Sequence, residues 1–164
     1  MTSKTITIKY GDAEILIDRR DLKNIDLSLL RINIDSYAVI GDKLLHRIIM
    51  NPPVDMQIDH KNKNTLDNRR SNLRICTPAE NQWNRGKTKA NSCGYKGVSK
   101  DKRRKSKKYR ARITANKQTL YLGSFDDAKE AGTVYRKAVK EHHGKFGRDK
   151  NPEKSHAIQR GIKN

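Results

Sequence analysis

Short alternating runs of apolar and polar residues dominate this chain, and no apolar stretch is longer than a few residues. Thr5-Ile-Thr-Ile8 and Glu14-Ile-Leu-Ile-Asp18 read as strands around a Tyr10-Gly-Asp12 turn, and Arg19 to Leu30 as a short helical or irregular segment. Tyr37-Ala-Val-Ile40 and Lys43-Leu-Leu-His46 read as a hairpin across Gly41-Asp42. Met56-Gln-Ile58 and Leu73-Arg-Ile75 are short extended segments, joined by a polar loop from Lys61 to Ser71 whose Asn, Asp and Arg residues favour turns. A helix follows: Thr77 can cap it, Pro78 suits its first position, and Glu80 completes a capping box, which puts Asn81 in the first turn.

The C-terminal half repeats the pattern on a smaller scale. Strict alternation in Lys108-Tyr-Arg-Ala-Arg-Ile-Thr114 puts Tyr109, Ala111 and Ile113 on one strand face and Lys108, Arg110 and Arg112 on the other. Asn116-Lys117 makes a turn into a second strand, Gln118-Thr-Leu-Tyr-Leu-Gly123. From Asp126 to His142 the apolar residues Ala128, Ala131, Val134, Tyr135, Ala138 and Val139 fall close to helical spacing, with Asp126 placed to cap the start and Gly144 the end.

Charge separates the two halves. The 164 residues carry a net +19, of which residues 1–86 (14 basic, 11 acidic) supply +3 and residues 87–164 (23 basic, 7 acidic) supply +16. Lys100 to Lys117 alone holds ten basic residues and one acid, Asp101. Because part of this run lies on a predicted strand, it reads as a folded basic face for a polyanion and not only as a solvated tail. The hydrophobic share of 34% allows only small cores. With no secretory signal or membrane-spanning run, an intracellular (cytoplasmic) location is expected. Cys76 and Cys93 form no CxxC and are too few for a zinc set, so reduced thiols are expected.

The chemistry-bearing residues lie in the other half. Phosphodiester hydrolysis needs a base for water, a cation for the developing charge and a scaffold for both. Asp59-His60, Asn72 and Asn81 bring one imidazole, one carboxylate and two amides into a single strand, loop, strand and helix unit. The Asp-His pair by itself reads as a solvated turn; the constellation with its flanking residues carries the nuclease reading.

That constellation, with Leu45-His-Arg-Ile-Ile-Met-Asn-Pro-Pro53 and Asp67-Asn-Arg-Arg-Ser-Asn-Leu-Arg74, resembles the HNH endonucleases with a ββα-metal fold, in the branch whose third motif residue is Asn. The resemblance implies that His60 is the general base, that Asp59 and Asn81 are metal ligands, and that Asn72 ties down the loop and orients the histidine. Oxygen ligands suit magnesium or manganese. His46 is either near the site or a buried structural histidine. Gly94-Tyr-Lys-Gly-Val98, Tyr109-Arg-Ala-Arg-Ile113, Tyr121-Leu-Gly-Ser-Phe125 and Glu130-Ala131 in turn resemble the APETALA and ethylene-response-factor DNA-binding domain, a three-stranded antiparallel sheet on one helix whose sheet enters the major groove. That resemblance implies DNA contacts from Lys96, Arg110, Arg112 and Tyr121, to which the basic run adds Arg103, Arg104 and Lys108. Tyr109 and Tyr121 stand where Trp is frequent, and Ser99 where a base-contacting Arg is, so the docking mode transfers better than the target sequence.

The expected fold class is α+β: an HNH nuclease domain with N-terminal supporting strands over residues 1–86, a basic linker over 87–93, the small sheet-plus-helix domain over 94–147 and a basic tail over 148–164. The order of the two resemblances is that of free-standing homing endonucleases of phages and bacteria. The expected partner is double-stranded DNA and the expected state a monomer; one catalytic set per chain favours cutting one strand. A non-catalytic DNA-binding regulator on an HNH scaffold is the main alternative, and an RNA-binding accessory protein a weaker one, since only 5% of residues are aromatic and able to stack on unpaired bases.

Overall fold

A computed structural model describes residues 4–88, 91–101 and 108–147 as a mixed α/β chain of small antiparallel sheets and few helices. It divides into two compact units between Asn81 and Gln82.

The first unit begins with a hairpin. β1 (Thr5–Tyr10) pairs antiparallel with β2 (Ala13–Asp18), from Thr5↔Asp18 to Tyr10↔Ala13. Two 3-10 turns follow, Arg19–Asn24 and Leu27–Leu29, the second opened by Asp26, whose carboxylate accepts from the Ser28 backbone N–H at 3.0 Å. β3 (Leu30–Ile32), β4 (Ala38–Ile40) and β5 (Lys43–Leu44) form a three-stranded sheet with β4 in the middle. The hairpin across Gly41-Asp42 is present, but it does not reach His46. That residue stands in the first turn of α1 (Leu45–Met50), where Leu45, His46 and Ile49 are all buried: the spacing i, i+1, i+4 fits one side of a helix, whereas a strand would send the neighbours Leu45 and His46 to opposite faces. β6 (Gln57–His60) and β7 (Leu73–Cys76) then pair antiparallel, and α2 (Pro78–Asn84) follows directly.

One core holds these pieces together. Ile15 and Ile17 from β2, Ala38 from β4, Leu45 and Ile49 from α1, Ile58 from β6 and Leu73 from β7 form a single buried cluster, with Ile6, Ile8 and Leu66 among the residues packed against it. At about 25 cal/mol per Å² of apolar surface, each of the Ile and Leu side chains contributes roughly 1.5–3 kcal/mol. The N-terminal hairpin and β6–β7 therefore stabilise each other.

In the second unit β8 (Val98–Lys100), β9 (Tyr109–Ala115) and β10 (Gln118–Phe125) form an antiparallel sheet with β9 central. Asn116 and Lys117, at φ 50° and 62°, make the two-residue left-handed turn that suits a tight hairpin. α3 (Ala128–His143) covers the sheet face formed by Val98, Ala111, Ile113 and Leu122, using Ala131, Tyr135, Ala138 and Val139. The expected cap at Asp126 is not found. Asp127 is the last extended residue before the helix, and its side chain makes no capping hydrogen bond; Asp126 is one residue too far out. Gly97 has no substitute: its φ is 72°, and an added Cβ would lie 2.0 Å from the Tyr135 ring.

Among the described residues no helix is long and apolar enough to cross a membrane.

Candidate active site

Register sets the first contacts. In the β6–β7 ladder Asp59 faces Arg74 and His60 faces Leu73. Neighbours on a strand point to opposite sides, and the two candidate residues accordingly have different companions.

Asp59 is 2% exposed and holds two cations. Arg74 reaches its Oδ2 with Nε at 2.7 Å and Nη2 at 2.6 Å, and Lys63 Nζ lies 3.3 Å from its Oδ1. His60 is equally buried, but among rings. Its centroid is 5.1 Å from that of His46 in an edge arrangement and 6.0 Å from that of Tyr37, which itself meets His46 at 5.5 Å. Burial pushes the His60 pKa below the usual 6.5, against the opposing pull of the Asn68 amide and of Asp59 and Asp67. His46 goes further, down to about 4, through burial first and then the neighbouring His60 and Arg47. Both imidazoles are neutral at physiological pH, so His60 can accept a proton.

A polar frame holds the loop between the strands. The Asn72 backbone oxygen accepts from Lys61 N–H at 2.9 Å, its Oδ1 accepts from Asn62 N–H at 3.0 Å, and its Nδ2 donates to the Asp67 carbonyl at 2.8 Å. Asp67, 1% exposed, takes both arms of Arg69 at 2.7 Å each and the Asn62 amide at 2.8 Å. Those hydrogen bonds, led by that of Arg69, keep its carboxyl below the ordinary aspartate range.

The N-terminal hairpin supplies the rest of the frame. Leu16 N–H donates to the Leu66 carbonyl at 2.9 Å and Asn68 N–H to the Leu16 carbonyl at 2.7 Å. Arg70 donates its backbone N–H to Asp18 at 3.0 Å and its guanidinium to Asp21 at 2.8–3.1 Å and to the Ile49 carbonyl at 2.6 Å. Strand β2, a 3-10 turn and helix α1 thus all bind one loop.

α2 carries Asn81. Its capping box is formed: Thr77 N–H donates to Glu80 at 2.7 Å, and Glu80 N–H donates to Thr77 Oγ1 at 3.2 Å. Asn81 Nδ2 donates to Gln57 Oε1 at 2.7 Å, two residues before Asp59 on β6 and therefore on the same strand face. This hydrogen bond uses the amide nitrogen, so the amide oxygen is the atom with which Asn81 could hold a cation. Among the described residues no group of three or more His, Cys, Asp and Glu could hold a metal ion. One carboxylate and one amide oxygen fit a hard cation that keeps waters and takes substrate phosphate oxygens, and do not fit a closed zinc site.

The candidate DNA-binding residues are spread over the second unit. Arg112 and Tyr121 are cross-strand partners, and Arg110 faces Ser99 on one side and Ser124 on the other. Arg112 and Lys108 are exposed, and Tyr121 is 58% exposed with its hydroxyl 2.5 Å from Ser124 Oγ. Arg110 is half-buried with Nε 3.2 Å from Asp101 Oδ2, so the single acid of the basic run neutralises one of its reading candidates. Lys96 Nζ donates to the Trp83 carbonyl at 2.5 Å, beside the stack of Trp83 on His143 (4.3 Å, 8°). Arg103 and Arg104 lie outside the described residues.

Sequence reasoning missed Tyr37, Lys63, Asn68 and Arg74 around the site, and Asp18, Asp21 and Arg70 behind it. Arg74 was accessible in principle, since any register that opposes Asp59 to position 74 predicts the ion pair. The loop between the strands is too long to fix that register from turn type alone. Asp18 and Asp21 lie 52 and 49 positions from Arg70 in sequence and left no local signal.

Residues 43–83 match the HNH endonuclease family. Protein 3.8 of Escherichia phage T7 is 35% identical over 96 residues, covering 58% of this chain and 77% of that protein. An uncharacterized HNH endonuclease of Acanthamoeba polyphaga mimivirus is 29% identical over 113 residues, covering 65% of this chain and 57% of that protein. No solved structure matches the chain.

Proposed function

The chain belongs to the same family as Protein 3.8 of Escherichia phage T7 and carries an HNH endonuclease domain over residues 43–83; from that premise we propose that it is a metal-dependent DNA endonuclease of the homing type, which nicks one strand per bound monomer. The observation that carries the reading is the buried Asp59-His60 pair, its imidazole held neutral and its loop fixed from three sides.

In this reading His60 takes the proton from the attacking water, while Asn72 and the Asp67–Arg69 pair keep the loop, and with it the imidazole, in place. Asp59 and Asn81 would hold a divalent ion, magnesium or manganese, which would supply neutralisation of the charge on the phosphate and on the departing 3′ oxygen. The outer face of the β8–β9–β10 sheet, with Arg112 and Tyr121 and with Lys108 just before β9, docks on the duplex in the manner of the APETALA-type domain, and the excess of basic residues beyond residue 86 supplies contacts to the backbone. Residues 1–86 are the cutting part and 94–147 the reading part.

The test uses supercoiled plasmid at low salt, where sequence-independent binding is strongest. Conversion to nicked circle with magnesium or manganese and none with a chelator is the expected result. Binding without cleavage under every metal condition would instead make the chain a DNA-binding regulator on an HNH scaffold.

A further inference from the structure

Lys63 occupies a backbone conformation that suits glycine. Its φ is 71°, in the left-handed region, where a Cβ is disfavoured. The turn around it is fixed: Lys63 N–H donates to the His60 carbonyl at 3.0 Å, Asn64 N–H to Asn62 Oδ1 at 2.9 Å, and Asn62 is in turn held on Asp67. From that turn the side chain reaches back to Asp59, with Nζ 3.3 Å from Oδ1.

The two cations on Asp59 are unequal. Arg74 is the directly opposed residue on β7, binds Oδ2 through two nitrogens at 2.6 and 2.7 Å, and its side chain is 15% exposed. Lys63 approaches the other oxygen at the longer distance of 3.3 Å, and its side chain is 31% exposed. An incoming divalent ion therefore displaces the lysine more easily than the arginine. The ammonium is a compact point charge on a flexible stem, which is the better leaving group of the two.

We propose that Lys63 is an internal cation that stands in for the metal: it occupies the Asp59 oxygen a divalent ion would take, and metal binding requires its departure. The inference rests on the nuclease reading, in which Asp59 is a ligand. Its consequence is a free protein with a deliberately weak metal site, in which the buried carboxylate is neutralised before the ion arrives.

The experiment is a manganese titration of the full-length protein without DNA, following free Mn2+ by electron paramagnetic resonance. Lys63→Met keeps the stem and removes the charge; Lys63→Gly also relieves the backbone. Both variants should bind Mn2+ roughly 2- to 5-fold more tightly than the natural protein, about the effect of removing one weak, partly exposed ion pair. Unchanged or weaker binding by Lys63→Met overturns the inference, including when Lys63→Gly alone binds more tightly, since the gain then comes from the backbone. Asp59→Asn separates the two levels. Its loss of Mn2+ binding upholds the ligand assignment on which the inference stands, whereas binding that survives Asp59→Asn overturns that assignment and the inference together.

Discussion

At the residue scale, the loop between β6 and β7 is held by the side chains of Asn62, Asp67, Arg69 and Asn72. Asn72 satisfies an amide N–H and a carbonyl of the loop through its side chain, and it is 7% exposed. Asn72→Ala strands both groups, so a loss of about 2–3 kcal/mol in denaturant unfolding is expected, with a fall in cleavage beyond what unfolding explains. His46 makes a second prediction, through pH. Its folded pKa of about 4 lies below the unfolded value of 6.5, so its neutral burial contributes stability that is complete above pH 6.5 and lost as pH falls toward 4. Unfolding at pH 7.5 and pH 4.5 should differ by on the order of 2–3 kcal/mol from this residue. The His46→Phe variant should show that much less pH dependence. The motif residues were legible in the sequence because each is a named position in a short pattern. Their partners were not, because Lys63 and Arg74 reach Asp59 only once strand register and a left-handed turn are set.

At the scale of the element, local chemistry was the better guide where it was strong. Thr77, Pro78 and Glu80 specify the start of α2 by hydrogen bonds within four residues, and the structure has those bonds. Thr77→Ala should cost about 1 kcal/mol and weaken metal binding through the looser placement of Asn81, which calorimetric metal titration would read. The Asn116-Lys117 turn and the alternating β9 strand were legible for the same reason. His46 and Asp126 were not. A strand end and the first turn of a helix look alike over a stretch as short as Lys43 to His46, and only the burial of the neighbours Leu45 and His46 together with Ile49 decides for α1. At α3 two consecutive aspartates offer two caps, and the backbone uses the second position without either side-chain bond.

At the scale of the whole molecule, the division of charge implies a division of labour. With most of the +19 beyond residue 86, affinity for DNA should fall steeply with salt; ~6–10 phosphate contacts would lose roughly 10³–10⁵ in binding between about 50 and 200 mM. A fragment ending at Ala90 should lose most of that dependence, and an unchanged salt slope in fluorescence anisotropy would contradict the assignment. His60 acts in bond breaking, and the single-turnover cleavage rate of full-length His60→Ala beside the natural protein, on one DNA with magnesium and with binding saturated, measures that role. A loss of roughly 10²–10⁴-fold in rate with unchanged affinity is predicted; cleavage at the natural rate by His60→Ala would contradict the account.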